Sequence, residues 1–166
     1  MIVCVQGLWH LGTVTAACLA AAGHDVIALD HDAPTIARLR EGRAPVAEPG
    51  LDDLLREHAA RLRYTTDVRD AREASVLWVA YDTPVDADDR ADVEHVVAQI
   101  ERVLPHLADD AVVLVSSQLP VGTSRRIERT LAELRPGTAI SVAYSPENLR
   151  LGKAIDVFTN PDRVVV

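Results

Sequence analysis

Short apolar runs alternate along this chain with stretches whose apolar positions recur at helical spacing. Ile2 to Val5 reads as a first strand. Leu11, Val14, Cys18 and Leu19 follow on one face of a helix that Gly23 stops. His24 to Asp30 is a second strand ending in an acid, and Pro34 to Arg40 a short helix with proline in its first turn. Glu48-Pro49-Gly50 predicts a turn, Leu51 to His58 a helix and Leu62 to Thr65 a short strand. Ser75 to Ala80 (SVLWVA) carries the β-branched and aromatic residues of a buried parallel strand. After a polar, acidic loop from Tyr81 to Asp92, the most regular helical stripe runs from Val93 to Leu107. Ala111 to Val115 is a strand, and Pro120-Val121-Gly122 turns into a helix through Leu134. Ala139 to Ala143 is a strand, and Val164 to Val166 reads as the start of another.

Strand–helix alternation of this kind predicts an α/β fold with a parallel sheet and right-handed crossovers. The first turn refines that. MIVCVQGLWHLG is an apolar strand, a tight turn and a helix start, with Gly7 and Gly12 in the outer positions of a G-x-G-x-x-G fingerprint. The expected architecture is a doubly wound, Rossmann-type sheet with helices on both faces, in one domain spanning residues 1–166. Ligands of such sheets sit at the carboxyl ends of the strands. Gly7–Gly12, Asp30–Asp32, Tyr81–Pro84, Ser116–Thr123 and Ser145–Lys153 should therefore converge on one crevice.

Composition narrows the chemistry. A net charge of −8, with 48% hydrophobic residues, argues against a nucleic-acid or anionic-membrane surface. No apolar run is long enough for a membrane span, and no basic leader precedes the first strand, which points to the cytoplasm. Cys4 and Cys18, each in an apolar setting, read as small buried hydrophobes. The histidines show no metal-ligand spacing, and Asp82, Asp86, Asp88, Asp89 and Asp92 read as a solvated face; no metal is expected.

Each segment of the crevice has a functional and a plain reading. Gly7 permits the tight turn and Gly12 close helix–sheet packing, so a helix start faces an anion; the same pair could persist for packing alone. Trp9 stands at the middle glycine position, where the indole could block a pyrophosphate or lie flat along it. Asp30 ends strand two, where a carboxylate accepts from ribose hydroxyls and repels a 2′-phosphate, favouring NAD over NADP. Asp32 faces solvent or caps the next helix. Thr83-Pro84 could offer a hydroxyl and a fixed turn, or be a plain loop. Gln118 and Thr123 could reach the cofactor or substrate, with Thr123 equally a helix cap. Glu147 is a candidate general base or a helix-start acid, and Arg150 and Lys153 could meet an anionic substrate.

With these segments in place the chain resembles the NAD-binding N-terminal domain of the UDP-glucose/GDP-mannose dehydrogenase family. The likeness is carried, in order, by Gly7…Gly12, Ala17-Cys18-Leu19-Ala20…Gly23-His24, Glu48-Pro49-Gly50-Leu51 and Thr65-Thr66-Asp67. It continues through Thr83-Pro84, Pro120-Val121-Gly122-Thr123, Pro146-Glu147, Leu149-Arg150 and Asn160-Pro161-Asp162-Arg163. The resemblance implies oxidation of a nucleotide sugar's primary alcohol to a carboxylate in two NAD-dependent steps, through an aldehyde and a cysteine thioester. It implies that Gly7, Leu8, Trp9, His10, Leu11, Gly12 and Asp30 hold the adenosine half of NAD, with Asp82, Thr83, Pro84, Ser117 and Gln118 along the rest. Glu147 would be the general base for thioester hydrolysis, and Gln118 would stand where the family has a threonine that helps position the catalytic water. Asn148, Leu149 and Arg150 would touch the sugar, with Lys153 adjacent.

The departures from the family pattern fall in the crevice. Trp9 replaces a glycine, His10 a tyrosine, Asp82 a small residue, Gln118 a threonine, Asn148 an aromatic and Leu151 a second glutamate. The family's connecting helix and second domain, with its cysteine nucleophile, lie beyond Val166, so the chain is expected to be an N-terminal domain on its own or a truncated product, inactive alone. A non-catalytic binding module descended from the same enzymes is the competing expectation. The apolar Val164–Val166 edge predicts a homo-oligomer.

Overall fold

The computed structural model describes residues 1–84, 88 and 91–166. Its elements, in chain order, are β1 (Ile2–Gln6), α1 (His10–Ala21), β2 (Asp25–Leu29), α2 (Ala33–Arg40), α3 (Leu51–Glu57), β3 (Leu62–Thr65) and β4 (Val76–Val79). Then come α4 (Val93–Val103), β5 (Val112–Val115), α5 (Thr123–Leu134), β6 (Ser141–Tyr144) and α6 (Ala154–Thr159). All strand pairs are parallel, in the order β3-β2-β1-β4-β5-β6. The strand order reverses between β1 and β4, which opens a crevice at their carboxyl ends.

Alternate side chains feed two cores. Val3, Val5, Val26 and Ala28 pack with α1, α2 and α3 on one face. Cys4, Ile27, Leu77, Val79, Val113 and Val115 pack with α4 and α5 on the other. Burial on both faces is why these strands read as continuous apolar runs. Helix α1 is buried from Leu11 to Ala20 on every side, because it lies between the sheet and both α3 and α6. Its small residues Ala16, Ala17 and Ala20 permit that close packing.

Several expectations need correcting. Val164–Val166 forms no strand; Ser145 Oγ donates to the Val165 carbonyl (2.8 Å), but no backbone ladder forms, and the three valines are exposed. The Val93–Leu107 stripe is α4 followed by a 3-10 turn, Leu104–His106, because Pro105 has no N–H to continue the helix. Thr123 is not a cap: Gly122 holds that position, and the Thr123 hydroxyl donates back to the Pro120 carbonyl (2.8 Å). Asp32, as expected, faces solvent and caps α2, accepting from Thr35 N–H at 2.9 Å. The short helix α6 went unread in the sequence.

Candidate functional site

The predicted crevice segments meet, and hydrogen bonds link them in series. Leu8 N–H donates to Asp30 Oδ2 (2.6 Å), tying the glycine turn to the end of β2. Leu11 N–H donates to Asp82 Oδ2 (3.3 Å), joining the start of α1 to the segment after β4. Thr83 Oγ1 donates to the Gln118 carbonyl (2.8 Å), and Gln118 Nε2 to Glu147 Oε1 (3.1 Å). The segments after β1, β2, β4, β5 and β6 therefore form one polar rim.

The turn is built sterically. Gly7 sits at φ +91°, and a Cβ there would lie 2.8 Å from the Tyr81 ring. A Cβ on Gly12 would run into the Gly7 carbonyl oxygen. Trp9, by contrast, has φ −83°, which any L-residue adopts, and its side chain is 51% exposed. As the N-cap of α1 it offers no side-chain acceptor to the helix start. Asp30 is 6% exposed. Its second oxygen accepts from Asp32 N–H (2.9 Å), with His31 Nδ1 3.3 Å away.

The Asp82 residue is exposed, but its carboxylate turns inward onto α1. Desolvation raises its pKa and the nearby charge of Glu147 adds to that, against the Leu11 N–H and His10, which lower it.

Glu147 lies in no helix, which removes the helix-start reading; its second oxygen accepts from Leu149 N–H at 2.8 Å. Beside it a cleft of about 600 Å3 opens on the α1 side of β4–β6. Trp78, Leu11, Leu19 and Phe158 give it an apolar wall, and Glu147, Asn148 and Arg150 a polar lip around Leu149. Trp78 Nε1 donates to Ser116 Oγ (3.0 Å), which fixes the indole. Trp9 and Lys153 stand outside this lining, and Lys153 is the exposed N-cap of α6. Ser117 is fully buried, its hydroxyl without a protein partner among the described residues. Asp86 and Asp89 lie outside the described residues. Among the described residues no group of three or more His, Cys, Asp or Glu could hold a metal ion, and no helix is long and apolar enough to cross a membrane.

Glu48 is the residue that sequence reasoning passed over. It is 8% exposed and accepts from His10 Nε2 (2.9 Å), Gly152 N–H (2.8 Å) and Ala154 N–H (2.9 Å). Burial pushes its carboxyl up, but these donors outweigh burial and hold it below its ordinary value. Its position in the Glu48-Pro49-Gly50-Leu51 motif was the available signal. Both thiols are buried, and desolvation raises each to about 12, so neither Cys4 nor Cys18 is a nucleophile.

Residues 1–166 match the UDP-glucose/GDP-mannose dehydrogenase family, NAD binding domain. The chain belongs to this family. Among its relatives, the UDP-glucose 6-dehydrogenase of Pseudomonas aeruginosa is 39% identical over the whole of this chain and 38% of its own length. The structure of a UDP-glucose dehydrogenase from Pyrobaculum islandicum superposes with a TM-score of 0.89 at 32% identity, over 98% of this chain and 39% of that one. A ternary complex of GDP-mannose dehydrogenase from Pseudomonas aeruginosa gives a TM-score of 0.86 at 27% identity, over 99% and 40%. The chain thus spans about 38% of the length of its dehydrogenase relatives and corresponds to their NAD-binding N-terminal part.

Proposed function

We propose that this chain is the NAD-binding half of a nucleotide-sugar 6-dehydrogenase of the UDP-glucose or GDP-mannose type, completed by a cysteine-bearing second domain. The observation that carries the reading is the Gln118–Glu147 hydrogen bond at the end of a polar rim that begins at the glycine turn. Two features support the cofactor: Gly7 and Gly12 leave no room for side chains at the turn, and Asp30, at the end of β2, would meet an adenosine ribose. When bound, NAD would accept hydride from the sugar's alcohol carbon.

The chain's own residues would do the rest. Gly7 to Gly12 and Asp30 would seat the adenosine half, and Thr83, Pro84 and Gln118 would border the nicotinamide half. Glu147 would take a proton from water as general base, with the Gln118 amide holding its carboxylate in place. Asn148, Leu149 and Arg150, on the lip of the cleft, would meet the nucleotide sugar, with Arg150 supplying positive charge to a diphosphate. Thioester chemistry requires a thiol from elsewhere, since Cys4 and Cys18 are buried.

Calorimetry of this chain with NAD and NADP tests the reading. Binding of NAD in preference to NADP is expected; no heat with either at millimolar ligand would overturn it. The exposed Val164–Val166 segment and the edge strand β6 support self-association. A monomer mass independent of concentration in sedimentation would refute that.

A further inference from the structure

The start of α1 is the place where this fold presents backbone N–H groups to a phosphate. Here one of them is already engaged: Leu11 N–H donates to the Asp82 carboxylate, from the segment after β4. The N-cap residue contributes no acceptor of its own, so the anion at this helix start is supplied by another part of the chain. At 3.3 Å the bond is long, which makes it cheap to release.

We propose that Asp82 is an internal competitor for the pyrophosphate of a dinucleotide: its carboxylate occupies the Leu11 N–H and must swing out before the diphosphate can seat. This rests on the NAD-binding reading above. The charges facing Asp82 sharpen the argument. His10 on α1 also neighbours Asp82, but its Nε2 is spent on Glu48. Glu147, on the loop after β6, faces Asp82 with the same sign. A diphosphate arriving here meets carboxylates and loses a donor. Asp82 sets how tightly the dinucleotide is held, without selecting its base.

The test compares the chain with its Asp82→Ala and Asp82→Asn variants at one pH and ionic strength, titrating each with ADP-ribose and with adenosine. Asp82 is an exposed loop residue outside both cores, so both variants should fold, and melting curves check that. ADP-ribose is expected to bind on the order of tenfold tighter to both variants, since a like charge is removed and a donor freed. Adenosine, which has no phosphate, is expected to bind all three proteins alike. Equal ADP-ribose affinity in all three proteins would overturn the proposal, as would weaker binding to the variants or an equal gain for adenosine. Those results would leave the NAD-binding reading standing. Failure of all three proteins to bind either ligand would overturn the NAD-binding reading and this proposal with it.

Discussion

His10 donates its Nε2 hydrogen to Glu48 at 2.9 Å, and the same buried carboxylate receives the N–H groups of Gly152 and Ala154. One side chain thereby clamps the start of α1 to the start of α6 and to the loop that carries Glu147 and Arg150. The arrangement also fixes the imidazole tautomer, because an ionised carboxylate can only accept.

Replacing that carboxylate should therefore be costly. Glu48→Ala leaves three donors without an acceptor, and a loss of about 2–4 kcal/mol is expected from charged hydrogen bonds of this kind. Denaturant titration measures it. The pH dependence follows from the lowered pKa. A depressed carboxyl contributes stability that is present above its unfolded value, near 4.5, and lost as pH falls through the folded value. Melting temperatures should thus fall on acidification below pH 4.5 in the native chain, and fall less steeply in Glu48→Gln.

Gly12→Ala should unfold or severely weaken the domain, because the new methyl would overlap the Gly7 carbonyl. More than about 3 kcal/mol is expected, or a melting temperature lower by roughly 10 °C. A variant that melts with the native chain would show that the turn can open without cost.

Trp9→Gly restores the fingerprint's middle glycine. The backbone there already has a negative φ, and the indole is half in solvent. Stability should change by no more than about 0.5 kcal/mol, and NAD affinity by no more than about twofold. Thermal melts and calorimetry check both. A large gain in affinity would mean that the indole swings into the diphosphate's path.

Neither cysteine should react with a thiol reagent in the folded chain at pH 8. Both are buried, and their thiols are raised to about 12. Under denaturant both should titrate. A reactive thiol in the native protein would contradict the packing of β1 or α1.

Much of the fold was readable from the chain because its causes are local. β1 and β4 are short runs rich in β-branched residues, and α4 follows a clean helical stripe from Asp92, its capping residue. Pro105 ended that helix for a reason also visible in the chain. Where the reading failed, the deciding partner was remote. Val164–Val166 has the composition of a strand, yet a strand exists only when a neighbour accepts its ladder. The α1 pattern showed one apolar face, whereas α3 and α6 bury it all round.

The site divides along the same line. Gly7, Gly12 and Asp30 were marked by the chemistry of a single turn and a strand end, and strand-end placement alone gathered the crevice segments. Which groups bond to which depended on folding. Asp82 reaches Leu11 across 71 residues of chain, and Glu48 reaches Ala154 across 106. In a parallel sheet, neighbouring strand ends belong to segments separated by whole crossovers. Composition and periodicity report what each segment can offer, and only the packed sheet determines which offers are taken up.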